Sequence, residues 1–399
     1  MADGADPAPP GPRVAVNLLA PGAYADRFAM FAALSDRCAE LSLLVDALPA
    51  TLAPLAARHA RLRVVELGPR RFARRACDWL HPRLERGALD VVHDTFGHLA
   101  EVFQAHGPDP RRQTALVTTL YTANHRWFDA IRQRGMDLGR RYVTQRVVSL
   151  WRDLRVCPDA DRVVVLGPGH EADVAALGVE ARRIVWLPSE TDLDRFTPGS
   201  ERPAAAEPEL LFTGTVWRNK GVDLLLDVLT ALTRETAYRP RLVLVGNVVP
   251  WERRWLTRAI AAHPLAGRIE LAGRLPRAAL EARYRRADLF VFPSLFEGSP
   301  RSVREAIACG LPAVVSDIPG CRGIDPDGRF LHFAPVHDRR AWRAAVQAAL
   351  TEDRAARRAR AQAGRRHLET HHSPAAVADR YRALYDEVLE ERGGVKRRR

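Results

Sequence analysis

Short apolar, β-branched runs alternate along the chain with stretches in which apolar residues recur at helical spacing. The runs at Val14–Leu18, Leu41–Val45, Leu62–Glu66, Asp90–His93, Ala115–Thr119, Arg162–Leu166 and Ile184–Leu187 predict strands. Helical patterns fall at Tyr24–Asp36, Arg70–Arg86 and around Arg126–Arg152. Periodicity is lost over Pro188–Pro208, which reads as a linker. The rhythm then restarts, with strands at Leu210–Thr213, Leu242–Val245, Ile269–Ala272, Leu289–Pro293 and Ala313–Ser316. Helices are expected at Val222–Thr233, Trp251–Ala262, Pro276–Arg286, Pro300–Cys309, Arg339–Leu350 and Pro374–Arg392. Continuous apolar strands separated by helices indicate βαβ units and parallel sheets. The predicted organisation is α/β, with two doubly wound domains. A disordered leader covers 1–12, the first domain 13–188, the linker 189–207 and the second domain 208–372. A last helix covers 373–392 and a basic tail 393–399. Ligands of such sheets bind outside the carboxyl ends of the strands.

The length, 399 residues, suits two domains. No run of 18 uninterrupted apolar residues is present, so no membrane-spanning helix is expected. The proline-rich start lacks the apolar segment of a secretory signal. Cys38, Cys77, Cys157, Cys309 and Cys321 are odd in number and form no C-x-x-C, which predicts reduced thiols in a cytoplasmic protein. The net charge is +13. Between Arg339 and Arg399 sixteen basic residues face eight acidic ones, so most of the excess lies at the C-terminal end. No aromatic-interleaved basic motif accompanies it, and nucleic acid is not an expected partner. An anionic membrane surface, met through the basic C-terminal helices, stays open. Only two lysines occur, Lys220 and Lys396, and Lys396 sits in the tail. An ammonium kept in a chain that otherwise uses arginine marks Lys220 as a site candidate.

The strongest constellation is Pro293-Ser-Leu-Phe-Glu297-Gly-Ser299-Pro300-Arg-Ser-Val-Arg-Glu305-Ala-Ile-Ala-Cys-Gly310-Leu-Pro312. A strand ends just before it, with Ser299 expected as N-cap and Pro300 as first helical residue. Glu297 then lies in the loop and Glu305 in the second turn of the helix. The helix N-terminus between them suits an anion such as a diphosphate. Carboxylates bind sugar hydroxyls through charge-assisted hydrogen bonds, so Glu297 would hold a transferred sugar and Glu305 a ribose. Two glutamates that merely cap or solvate the helix remain the alternative.

This frame resembles the Glu-x7-Glu signature of retaining glycosyltransferases of the GT-B fold, in particular glycosyltransferase family 4. Phe212-Thr-Gly214, Lys220-Gly221, Leu271-Ala-Gly273, Tyr284-Arg-Arg-Ala-Asp288 and Ala160-Asp161-Arg-Val are similar to further family segments. The resemblance implies two Rossmann-like domains facing across a cleft, with the C-terminal helix crossing back to the first. It implies donor binding by Gly214, Lys220, Gly273, Arg274 and Leu275, and by the run Glu297, Gly298, Ser299, Pro300, Arg301, Ser302 and Glu305. Gly22 would add to these from the first domain. Lys220 would neutralise charge on the leaving diphosphate. The aspartate pairs Asp159/Asp161, Asp192/Asp194 and Asp325/Asp327 are expected as loop carboxylates rather than a metal site.

The chain departs from the family at three places. Thr215 stands where an arginine often follows the glycine, with Arg218 as a candidate replacement. Tyr121 stands at the usual histidine of the first domain, with His125 four residues on. Ala20-Pro21-Gly22 replaces a double-glycine loop, and Pro188-Ser-Glu-Thr-Asp192 replaces a common Asn-Gly-Val-Asp turn. His93, Asp94, His98, Tyr121 and His125 are the acceptor-side candidates. Lys220, Glu297, Tyr121 and Arg218 are the catalytic ones. The implied activity is metal-independent, retaining transfer from a nucleotide sugar, UDP-linked before GDP-linked, to a small acceptor, as in specialised metabolism. No resident cofactor is implied. A membrane-surface enzyme with a lipid acceptor and a non-catalytic nucleotide-sugar-binding scaffold are the competing readings.

Overall fold

Seven parallel strands build the first sheet: β1 (Arg13–Leu18), β2 (Glu40–Val45), β3 (Leu62–Glu66), β4 (Val91–Asp94), β5 (Ala115–Leu120), β6 (Arg162–Val165) and β7 (Ile184–Trp186). Their order is β3-β2-β1-β4-β5-β6-β7. Six parallel strands build the second: β8 (Glu209–Thr213), β9 (Arg241–Val245), β10 (Ile269–Gly273), β11 (Leu289–Phe292), β12 (Ala313–Ser316) and β13 (His332–Ala334). Their order is β10-β9-β8-β11-β12-β13. The computed structural model describes residues 11–95, 97–106, 113–120, 140–199 and 207–397. Residues 1–10 of the expected leader, together with Tyr121 and His125, lie outside the described residues.

The inner strands are mostly apolar because both faces are covered, while the edge strands β3, β7 and β10 are only partly buried. In β1 every residue after Arg13 is buried, and the first sheet separates two apolar clusters, one including Phe28 and Phe31, the other Phe72 and Phe103. Strand order reverses between β1 and β4 in one sheet and between β8 and β11 in the other. Such switch points splay the following loops apart and open a crevice. The loops after β1, β8 and β11 carry the candidate residues Gly22, then Gly214, Arg218 and Lys220, and then Glu297–Pro300.

The helix Pro374–Arg397 returns to the first domain and packs along the helix Ala25–Ser35. Tyr381, Leu384, Tyr385 and Val388 form its buried stripe. Burying each such side chain contributes about 1.5–3 kcal/mol. This stripe belongs to the protein core, so it is not a lipid-facing surface.

The structure adds elements that the apolar pattern does not predict. The helix Arg354–His371 is the largest. Its arginine-rich sequence buries only Gly364 and Leu368, so no apolar stripe announces it. Its one legible signal is the N-cap Asp353, which accepts from Ala356 N at 2.9 Å. β13 has three residues, too few for a periodicity. The short helices Ala53–Ala56, Ala100–His106 and Glu171–Ala175 were likewise not expected. All five cysteines are free and buried.

Candidate active site

The lysine loop and the glutamate loop are built against each other. After β8 the chain makes a short 3-10 turn, Arg218–Lys220, and Gly221 then opens the helix Val222–Glu235 with φ +70°. A Cβ at Gly221 would lie 2.2 Å from the carbonyl oxygen of Pro293, the first residue after β11. Only glycine tolerates both that φ and that approach. Leu295 N also donates to Asn219 O at 3.1 Å. The result is an ion pair between Lys220 Nζ and Glu297, both side chains 15% exposed.

The following helix begins one residue later than its sequence suggests. Pro300 is the N-cap position, and the helix proper is Arg301–Ala308. Ser299 does not cap it, because the Ser299 hydroxyl accepts a bond from Arg304 Nη1. Glu305 is buried and accepts from the Tyr284 hydroxyl at 2.8 Å, and Thr213 Oγ1 lies 2.5 Å from that same hydroxyl. Burial pushes the Glu305 carboxyl above the usual range, against the opposing pull of Arg301 and Tyr284.

These groups surround a cavity of about 420 Å³. Ten of the expected donor residues line it: Gly214, Lys220, Arg274, Leu275, Glu297, Pro300, Arg301, Ser302 and Glu305 from the second domain, and Gly22 from the first. Gly273, Gly298 and Ser299 do not. The Gly273 carbonyl accepts from Gly246 N at 2.8 Å. Gly298 instead meets the first domain, where a Cβ at Gly167 would lie 1.8 Å from its oxygen. Arginines also cross the cleft. Arg277 Nη2 donates to Gly22 O at 2.9 Å and Arg301 Nη1 to Ala23 O at 3.2 Å, while Arg301 Nε lies 3.8 Å from Asp26 Oδ2.

Four expectations about charge and acceptor binding need correction. Arg218 does not face the cavity. Its Nε lies 3.0 Å from both carboxylate oxygens of Glu252, and its guanidinium stands 5.1 Å over the Trp255 ring, while Thr213, Gly214, Thr215 and Lys220 line the cavity there. His93 is fully buried beneath the C-terminal helix, 2.7 Å from both the Tyr385 hydroxyl and Thr119 Oγ1. Burial lowers its pKa to about 3, so the ring is neutral and structural. Asp94 is also buried. It accepts from Asn17 Nδ2 at 3.0 Å and from the backbone N–H groups of His98 and Leu99, which shapes the loop after β4. His98 sits edge-on to Phe72 and does not line the cavity. Among the described residues no group of three His, Cys, Asp or Glu could hold a metal ion. Asp325 instead receives the N–H groups of Arg329, Phe330 and Leu331.

The sequence reading missed a buried charged set between the domains. Arg27 Nε lies 3.0 Å from Glu190 Oε1, with both side chains under 5% exposed, and Arg27 Nη1 donates to the Tyr381 hydroxyl at 3.0 Å. Arg304 donates to Thr191 Oγ1 at 3.0 Å. Burial lowers its pKa to about 10, still cationic at neutral pH. Asp26 and Arg27 interrupt an otherwise apolar helix start, the one signal in the sequence that marks them.

Residues 207–352 match the family model of the glycosyl transferases group 1. The D-inositol 3-phosphate glycosyltransferase of Geodermatophilus obscurus is 31% identical over 336 residues, covering 79% of this chain and 70% of the relative. The chain belongs to the group 1 glycosyl transferases. A glycogen synthase of Mycobacterium tuberculosis is 28% identical over 53% of this chain and 50% of its own length. Among solved structures, a sucrose-phosphate synthase from Thermosynechococcus elongatus superposes over 95% of this group 1 glycosyl transferase and all of its own chain, with TM-score 0.72 and 19% identity. Anabaena HepE in complex with UDP-glucose superposes over 95% with TM-score 0.66 and 14% identity. These likenesses show the GT-B fold.

Proposed function

We propose that this glycosyl transferase moves a sugar from a UDP-sugar to a hydroxyl of a small acceptor with retention of configuration and without a metal ion. The observation that carries the reading is the Lys220–Glu297 pair at the mouth of the helix Arg301–Ala308, with Glu305 on the same cavity. The donor diphosphate lies at that helix N-terminus, where N–H groups and the helix dipole favour an anion. Lys220 turns from Glu297 toward the diphosphate and balances the charge that grows there. Glu297, released from the ion pair, accepts hydroxyls of the transferred sugar. Glu305 accepts the ribose hydroxyls, and Tyr284 holds its carboxylate in place. The acceptor oxygen bonds to the anomeric carbon from the face the diphosphate leaves. The anomeric C–O bond to phosphate breaks, and the acceptor proton passes to a diphosphate oxygen. Positioning and charge stabilisation then supply the rate. The likeness to Anabaena HepE, solved in complex with UDP-glucose, supports a uridine donor.

A thermal-shift and calorimetry screen of UDP, GDP, ADP and TDP with their sugars tests the donor, on the wild type and Glu305→Ala. Selective stabilisation by uridine nucleotides, lost in the variant, is expected. No response to any nucleotide would replace this reading with that of a vestigial scaffold. Proton NMR of the first-formed product reads the anomeric outcome, and turnover in EDTA reads the metal requirement.

A further inference from the structure

Six large apolar side chains stand exposed among the described residues, and four of them share one helix. The helix Arg140–Val156 presents Val147 at 51% exposure, Val148 at 41%, Trp151 at 52% and Leu154 at 48%. Positions 147, 151 and 154 are spaced one and two turns apart, and 148 lies a turn before 151, so the four form one stripe. An exposed stripe of this kind in a folded protein marks a binding surface.

The helix is fixed by its other side. It packs on the helix Ala100–His106. Arg152 lies close against Gly97, where an added Cβ would be 3.1 Å from the Arg152 Cβ. Arg155 bonds to Gln104, and its guanidinium stands 4.4 Å over the Trp151 ring. The apolar face is therefore held outward on a rigid element. The sequence of these 17 residues carries five arginines and one aspartate. An apolar stripe with a tryptophan, on a helix whose sequence holds five arginines against one aspartate and in a chain of net charge +13, is complementary to one surface above others: anionic headgroups over acyl chains. Trp151 suits the headgroup boundary, and arginine stems lie along apolar surface while their charges reach phosphates. Among the described residues no helix is long and apolar enough to cross a membrane.

We infer that the helix Arg140–Val156 docks this protein in the plane of an anionic lipid bilayer. The inference does not depend on the identity of donor or acceptor. Of the C-terminal helices, from which the sequence suggested lipid contact, the last buries its apolar stripe in the first domain and the two before it bury apolar side chains in the second, so the docking face lies here instead.

Sedimentation of the full chain with vesicles tests it, using phosphatidylcholine alone and phosphatidylcholine mixed with phosphatidylglycerol, at low and at physiological salt. Binding to the mixed vesicles is expected, weakening as salt rises, with little on phosphatidylcholine alone. Val147→Asp/Trp151→Ser should cut the bound fraction about tenfold, with the far-UV spectrum and melting temperature unchanged. Val148→Asp, a single exposed change, should act in the same direction. Deletion of 396–399 should leave most of the binding. No binding to anionic vesicles overturns the proposal, as does undiminished binding by both variants. Loss of binding on deletion of 396–399 alone would assign the effect to the tail. A wild type that is dimeric and ignores vesicles, beside a monomeric double variant, would assign the face to a second copy of the chain.

Discussion

Lys220 and Glu297, separated by 77 positions, form an ion pair on the wall of the cleft cavity. In the mechanism proposed above, a donor diphosphate at the helix N-terminus draws Lys220 away from Glu297 and frees the carboxylate for sugar hydroxyls.

Replacing Lys220 therefore has two consequences. Lys220→Ala should weaken nucleoside-diphosphate binding by about 1.5–3 kcal/mol, the worth of a charged hydrogen bond. It should lower kcat by about 10²–10³, the usual cost of removing one transition-state donor. Lys220→Arg should restore little, because a planar fork does not replace a compact ammonium. Calorimetry and initial rates check this, and wild-type affinity in the alanine variant would remove Lys220 from the site.

Tyr284 and Glu305 make a second prediction. Tyr284→Phe removes the hydroxyl that serves a buried carboxylate and should destabilise the free protein by about 1–3 kcal/mol. Nucleotide should then stabilise the variant by more than it stabilises the wild type, since ribose hydroxyls re-occupy Glu305. Melting curves with and without UDP read both effects. A variant whose UDP shift only shrinks would show Tyr284 to be a substrate contact.

At Gly221 the backbone itself is at stake. Gly221→Ala places a Cβ within 2.2 Å of Pro293 O at φ +70°. The strained residue should cost about 1–3 kcal/mol in urea denaturation. It should also displace Lys220 from Glu297 and abolish the nucleotide-induced shift. An unperturbed variant would mean that the two loops are not coupled.

Acid stability follows from two buried histidines. Burial lowers the pKa of both His93 and His372 to about 3, with nearby arginines acting in the same direction. Below the ordinary value of 6.5 the unfolded chain binds protons that the folded chain refuses. Stability is therefore full above pH 6.5 and is lost as pH falls from 6.5 toward about 3. Each histidine adds a slope approaching about 1.4 kcal/mol per pH unit in that window. His93→Gln should shallow the acid limb of a stability–pH curve by one such increment. An identical slope would show that His93 protonates in the folded protein.

The buried Arg27–Glu190 pair should be costly to break. Arg27→Met leaves Glu190 without its cation between the domains and should cost about 3–5 kcal/mol. Arg27→Met/Glu190→Gln should recover much of that loss. Thermal denaturation of the single and double variants measures the coupling, and additive losses would mean that the pair is not energetically joined.

The parallel sheets and the glutamate frame were legible because each is written in local sequence. Apolar strands, a Gly-x-Pro helix stop and a lone lysine before a glycine need no knowledge of distant residues. The helix Arg354–His371 was not legible, because tertiary packing uses only two of its positions. Arg218 illustrates the limit more sharply. Its place in the glycine loop suggested a cation facing the donor, but Glu252, on a separate helix, turns it away. His93 and Asp94 end a strand near the crevice, as acceptor residues would, yet the C-terminal helix and Asn17 claim them for the core.

The sequence by itself determined the fold type and the chemical set of the site, since strand pattern, glycines and charged residues are properties of neighbouring positions. Only the tertiary structure decided which charges face the cavity. Burial favours a partner for each charged group, and those partners come from elements 21 to 163 positions away: Tyr284 for Glu305, Glu190 for Arg27, Glu252 for Arg218. It also decided which apolar stripe is covered and which, on the helix Arg140–Val156, stands open.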